Sequence, residues 1–282
     1  MKYIDKSLHK QKGEQIVTEF LDCFYKRKGV YPFMDKMYKA FSDEIDDTHG
    51  HIRYRQRLID EVLNPEQDGL CCYCMRRLTA DTTTVEHIML NHAKDKNELD
   101  EYRTKPTALD GIPHTSDFLS MSPIEYPPHP HSIAYQNLVL SCNGDLFNEK
   151  GKPVCCNLKR EHTFLPPLVL YWNITQTFKY MVDGTAEWTE DPQPPESKKN
   201  VVKILGLNRS VLKMVRRIWF FCNDNEIDPY NTSKEIVVNT MMGYVASSGI
   251  SESEINMLLN FKVEKYWKLI SEYDAFATIK HS

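Results

Sequence analysis

Apolar positions at helical spacing open the chain. Over residues 15–28, Ile16, Phe20 and Phe24 recur four apart, and Gly29 is placed to stop the helix they predict. Residues 43–63 read as a second helical stretch, carrying Arg53, Arg55 and Arg57, with Pro65 just beyond. From residue 69 the texture changes to clustered cysteines and short β-like runs. Residues 138–140 form an apolar strand candidate. Residues 168–172 and 178–181 read as strands, and Asp183-Gly184 is a hairpin turn leading into 185–189. A polar, proline-rich linker at 191–199 follows. The last part is helical again: Asn208 or Ser210 can cap a helix bearing Val211, Met214, Val215, Ile218 and Trp219, followed by helices over 233–245 and 252–272. The layout predicted is α+β: a helical segment over 1–68, a cysteine-rich core over 69–165, a β-hairpin extension over 166–190, and a helical segment over 200–282. Inside the core, residues 91–131 hold six prolines and no periodicity, too long a stretch for an idle loop, and are expected to be a functional insertion.

Composition narrows the class. The 282 residues are 41% hydrophobic and 26% charged, which excludes a disordered or collagen-like chain. No run of about 18 apolar residues is present, so no membrane span is expected. Residues 1–15 lack the apolar stretch of a secretory signal, so a cytoplasmic location is expected. The net charge is −4. Nucleic-acid binding through bulk charge would need a basic chain, so any such role rests on a local site or a partner.

Six of the eight cysteines fall in two knots: Cys71, Cys72 and Cys74, then Cys142, Cys155 and Cys156. Such clustering in a chain of this length does not read as a disulfide framework. Cys71 and Cys74 have the C-x-x-C spacing of a zinc knuckle, and the second knot can supply two more thiolates to a tetrahedral ion. Buried free thiols and a redox pair are the alternatives to that reading. Between the knots lies Val85-Glu86-His87-Ile88, and before Cys142 lies Asn137-Leu138; Cys156 is followed directly by Asn157-Leu158-Lys159.

The order C-x-x-C, Glu-His, Asn-Leu-x-x-x-Cys, then Cys-Asn with basic residues just after, resembles the HNH, or ββα-metal, endonucleases whose zinc knuckles brace the motif. It is most similar to the nuclease subunits called PtuB of Septu-type antiphage systems, also found beside retrons. Met1-Lys2-Tyr3-Ile4, the Asp183-Gly184-Thr185 turn and Ile204-Leu205-Gly206-Leu207-Asn208 also look like that subgroup. The motif spans roughly residues 69–165. Two departures stand out: Asn143 to Val154 separate Cys142 from Cys155 and Cys156, and the gap from His87 to Asn137 is far longer than in a minimal motif. Spacing leaves Cys155 and Cys156 both open as the fourth zinc ligand; the family order, with the last cysteine directly before Asn157, selects Cys156.

The resemblance implies a metal-dependent nuclease. Phosphodiester hydrolysis needs a base to activate water and a cation to hold developing charge. His87 suits the base. Glu86 and Asn157 suit a hard divalent ion, Mg²⁺ or Mn²⁺. By the same resemblance, Asn157 holds the place of the motif's last histidine, and Asn137 fastens the loop bearing His87 by its side chain. Lys159, Arg160 and His162 are candidate phosphate contacts. The implied partners are a PtuA-type (ABC-ATPase) subunit and nucleic acid, with double-stranded phage DNA the expected substrate. An RNA-cutting effector, with tRNA as one target, and a non-catalytic zinc-braced adaptor are the competing functions. The core over 69–165 holds ten Lys plus Arg against twelve Asp plus Glu, a balance of −2, so weak duplex binding by the core alone is expected.

Overall fold

The structure of the chain, a computed structural model, describes residues 1–32, 36–47, 50–88, 132–146, 154–161, 163, 165, 167–170, 174–188, 200–228 and 268–280. The insertion over 91–131, the linker over 191–199, the helix expected over 233–245, all but the end of that over 252–272, and His162 lie outside these residues. The described part is mixed α and β and divides into two interleaved compact units. The first takes Met1–Tyr73, Thr79–Ser141 and Glu161–Gln176; the second takes Cys74–Leu78, Cys142–Arg160 and Thr177–Ser282. No helix among the described residues is long and apolar enough to cross a membrane.

In the first unit, α1 (Lys10–Lys28) buries Ile16, Val17, Phe20 and Leu21. Gly29 ends it in the left-handed conformation, its N–H donating to the Tyr25 carbonyl at 2.8 Å. Phe20 packs edge-on against Phe41 of α2 (Met37–Ser42) and against Tyr54, with ring centroids at 5.1 and 5.8 Å. The helix predicted over 43–63 begins only at Tyr54. Before it, β1 (Ile45–Asp47) and β2 (Gly50–Ile52) pair antiparallel with Ile45 opposite Ile52. Gly50, at φ 121°, starts β2 in a conformation that a helix does not contain. The helical run then passes from α3 (Tyr54–Leu58) through a π-helical turn (Ile59–Leu63) into α4 (Asn64–Glu66).

The sheet that carries the motif is two-stranded, β3 (Thr83–His87) beside β4 (Leu138–Cys142). Ile88 N–H donates to the Asn137 carbonyl at 2.9 Å and Thr84 Oγ1 to the Ser141 carbonyl at 3.1 Å, so the strands run in opposite directions. A 3-10 turn (Tyr135–Asn137) leads into β4 and is pinned from below. Lys6 Nζ reaches Glu66 at 2.7 Å and the Leu138 carbonyl at 2.6 Å, and the Tyr135 hydroxyl also donates to Glu66. Residues 168–170 form a 3-10 turn in place of the predicted strand, with the Pro167 carbonyl accepting Leu170 N–H at 3.0 Å.

In the second unit, β5 (Phe178–Tyr180) and β6 (Ala186–Trp188) form the predicted hairpin, with Gly184 at φ 77° in its turn. Helices α5 (Cys156–Arg160), α6 (Val201–Ile204) and α7 (Ser210–Asp224) complete the part that matters here. Asn208 does not cap α7. Its amide instead pairs with both backbone groups of Ala186, at 2.7 and 3.0 Å, and so ties the hairpin to the helix start. Arg216 is fully buried: its guanidinium lies over the Tyr180 ring at 4.7 Å and donates to the Gly184 carbonyl at 2.9 Å.

Candidate metal centre and the Glu86–His87 strand

Cys71, Cys74, Cys142 and Cys156 are all buried, and their sulfurs lie within 4.8 Å of one another. Four Zn–S bonds of about 2.3 Å in tetrahedral geometry place the sulfurs about 3.8 Å apart. The Cys74 and Cys142 sulfurs are 3.7 Å apart, far beyond a disulfide bond and close to that tetrahedral edge. None of the eight cysteines is in a disulfide. The four can hold a structural metal such as zinc. Among the described residues this is the group of His, Cys, Asp and Glu side chains gathered closely enough to do so.

The first knuckle is set by Gln67, which is fully buried. Its Nε2 donates to the Leu70 and Leu140 carbonyls at 2.9 and 2.8 Å, its Oε1 accepts Leu140 N–H at 2.7 Å, and Cys72 N–H donates to the Leu140 carbonyl at 3.1 Å. The knuckle turn is thus stitched to β4, the strand that ends in Cys142. Closure of the second knuckle explains why the long gap after Cys142 does no harm. Asp145 and Val154 form an antiparallel bridge, and Cys155 N–H donates to the Gly144 carbonyl at 2.8 Å, which brings Cys155 and Cys156 back beside the end of β4. Gly144 has φ 81°, and a Cβ there would lie 2.7 Å from Leu158 Cβ and still closer to the Cys155 carbonyl. Cys156 itself sits at φ 48°, a left-handed conformation that a non-glycine residue adopts at a cost of about 1–2 kcal/mol. Its N–H donates to the Leu205 carbonyl at 2.9 Å.

Around the sulfurs stand two residues that sequence reading missed. The Tyr273 hydroxyl donates to Cys74 Sγ at 3.4 Å; burial, then the neighbouring thiols, hold its pKa well above the ordinary value. Arg76 pairs with Glu272 at 2.6 Å and donates to the Asp145 carbonyl at 2.7 Å. Burial opposes its charge, but Tyr273, Glu272, Cys142 and Cys74 together drive its pKa up. Four thiolates around a divalent ion carry a net −2, and a guanidinium and a hydroxyl donor are the outer groups that such a centre calls for. Tyr273 lies some 200 residues from Cys74 along the chain, and no local signal marks it. Cys155, the alternative fourth ligand, is also buried and interacts with Cys142, Cys156 and Cys74.

His87 ends β3. Its Nε2 lies 2.9 Å from the Ser132 carbonyl, and the ring packs edge-on against Tyr38 with centroids 4.6 Å apart. A carbonyl can only accept, so Nε2 carries the proton and Nδ1 carries the lone pair of the neutral ring. Glu86 beside it is 5% exposed and Asn137 is fully buried. Asn137 holds the strand end through its backbone carbonyl, which accepts from Ile88, the residue after His87. Asn157 is half-buried and Lys159 exposed, both on α5 of the second unit. Arg160, expected at the surface as a phosphate contact, is 1% exposed and so is withdrawn from that role. The carboxylate of Glu86 and the amide oxygen of Asn157 are hard donors of the kind Mg²⁺ takes.

No protein-family model, no curated protein and no solved structure matches the chain.

Proposed function

We propose that the chain is a metal-dependent HNH-type endonuclease that hydrolyses phosphodiester bonds of invading DNA, acting as the nuclease subunit of a defence complex with an ABC-type ATPase. The observation that carries this reading is the orientation of His87. With Nε2–H committed to the Ser132 carbonyl, Nδ1 is the basic nitrogen, the atom a water would have to meet to lose its proton. On protonation the imidazolium keeps its Nε2–H bond, and a charged donor strengthens it, so the same carbonyl stabilises the product of the proton transfer. The Tyr38 ring and the Ile88–Asn137 bond fix the ring and the strand end, which lowers the reorganisation needed for that step. Glu86 and Asn157 would hold the divalent ion, which when bound stabilises negative charge on the scissile phosphate and the leaving oxygen. The four-cysteine cluster would brace the motif as a structural zinc site.

The test is incubation of the purified chain, alone and with its ATPase, with plasmid DNA and with total RNA in Mg²⁺ or Mn²⁺. DNA cleavage that requires His87 is the expected result. Cleavage of RNA alone would turn the reading to an RNA-cutting effector, and no cleavage under any of these conditions would leave an adaptor.

A further inference from the structure

The nuclease core over 69–165 is short of positive charge, at −2, yet a duplex is held mainly through phosphate neutralisation. The second unit supplies what the core lacks. Residues 200–223 contain five basic residues, Lys203, Arg209, Lys213, Arg216 and Arg217, and no acidic one, in a chain whose net charge is −4. Arg216 is buried; the other four reach the surface or its edge.

Their placement is not random. A Cβ built on Gly206 would lie 3.2 Å from Lys159 Cγ and 3.5 Å from Arg209 Nε, so the Lys159 stem and the Arg209 guanidinium meet over one glycine turn. Gly206 has φ 62°, and its N–H donates to the carbonyl of Lys203, which is also exposed. From Arg209 the row continues along α7 at four-residue intervals, about 6 Å of rise each, to Lys213 and Arg217. Those two share a face, since both reach Asp183: Lys213 Nζ lies 3.7 Å from its carboxylate, and Arg217 Nε donates to its backbone carbonyl at 2.5 Å. Lys159 is two residues from Asn157 on the same short helix.

We infer that Lys159, Lys203, Arg209, Lys213 and Arg217 form a track that grips the sugar-phosphate backbone of duplex DNA. The inference rests on the nuclease reading for its substrate class, but its test does not depend on cleavage. Five phosphate contacts give a slope of log K against log salt of about −4 to −5, so binding that is measurable at 50 mM salt is largely lost at 200 mM. That dependence leaves room for the weak duplex binding expected of the core alone.

The experiment is fluorescence anisotropy of a labelled 30-base-pair DNA duplex with the full chain in a His87→Ala background, without added Mg²⁺. Lys203→Glu with Arg209→Glu should raise Kd at least about tenfold at 50 mM salt and flatten the salt slope by roughly 2. Both residues are exposed, and a glutamate before the first turn of α7 favours the helix dipole, so the fold should be kept. The control, Lys26→Glu with Lys28→Glu at the exposed end of α1, should bind as the parent does. An equal loss in the control, unchanged binding in the Lys203/Arg209 variant, or no duplex binding by the parent at 50 mM salt each overturns the track. Track-dependent binding by a wild-type chain that cuts nothing in Mg²⁺ or Mn²⁺ would uphold the track and remove the nuclease reading.

Discussion

Replacing Gly144 by alanine tests how the second half of the cysteine cluster is built. Two costs are read from the structure. At φ 81° an L-residue pays about 1–2 kcal/mol that glycine does not. The added methyl also meets the Cys155 carbonyl and lies 2.7 Å from Leu158 Cβ; since backbone and a helix Cβ cannot swing aside, the strand or α5 must move, at about 1–3 kcal/mol. The total is about 2–5 kcal/mol, which for a chain of this size lowers Tm by roughly 5–15 °C. The displacement falls on the segment joining Cys142 to Cys156, because Gly144 accepts the Cys155 N–H. Sulfurs that must sit about 3.8 Å apart around zinc tolerate little of it. Zinc should therefore be released to a chromogenic chelator several-fold faster than from the parent. Gly29→Ala supplies the comparison: its φ is 69° but nothing lies within 4 Å of its Cβ, so it pays the backbone cost alone and leaves zinc untouched. Calorimetry and chelator kinetics on both variants read the difference. A Gly144→Ala protein with parental Tm and zinc release would refute the closure described here.

Three further outcomes are expected. His87→Ala should abolish DNA cleavage in Mg²⁺ while zinc content stays at the parental value and the chain stays folded, losing only the Ser132 and Tyr38 contacts of the ring; retained cleavage would remove His87 as base. Cys156→Ser should lose stoichiometric zinc by elemental analysis and become protease-sensitive, while Cys155→Ser keeps its zinc; the reverse result would exchange the two assignments. The Cys222 thiol is pushed up to about 11 by burial and by Asp228. The unfolded thiol releases its proton near pH 8.5, so this contribution to stability is present below that pH and is lost as pH rises toward 11. Urea midpoints should fall over that window, and fall less in Cys222→Ala; at pH 8, iodoacetamide should label the half-buried Cys23 and spare Cys222 in the native chain.

What could be read from the sequence was local. The helix stopped by Gly29, the Leu138 strand, the Asp183-Gly184 hairpin and the C-x-x-C turn each depend on neighbours within a few residues, and the structure has all of them. Readings failed where long-range packing decides. Residues 45–47 pair with 50–52 instead of continuing a helix, with Ile45 opposite Ile52. An Arg-Arg pair reads as solvated, yet Arg216 stands four residues after Leu212 and three before Trp219, on the apolar side of α7, and finds aromatic faces and a carbonyl there. Arg160 is buried on the same helix whose Lys159 is exposed. The Ser132 carbonyl that sets the His87 proton and the Tyr273 hydroxyl on Cys74 lie 45 and 199 residues from what they serve, and Arg76, though two residues from Cys74, is held by Glu272 at a separation of 196; none carries a spacing signal.

One turn joins the metal centre to the basic row. Cys156 is held in a left-handed conformation partly by its N–H bond to the Leu205 carbonyl, and the next residue, Gly206, is the one over which Lys159 and Arg209 meet. Gly206 cannot become a larger residue without strain at φ 62° and contact with the Val154 carbonyl at 3.0 Å, two residues before Cys156. The sulfur ligand and the two cations are thus positioned by the same few backbone atoms. Electrostatics makes the adjacency useful. Four thiolates on a divalent ion would carry −2, and Arg76, which interacts with Cys74 and Cys142, is also paired to Glu272 and so offsets that charge only in part. Left alone, it would repel a phosphate chain approaching α5. Lys159 and Arg209, both exposed and meeting over the glycine that follows Leu205, are the cations this turn carries beside Cys156, and in the proposed track they would offset that repulsion.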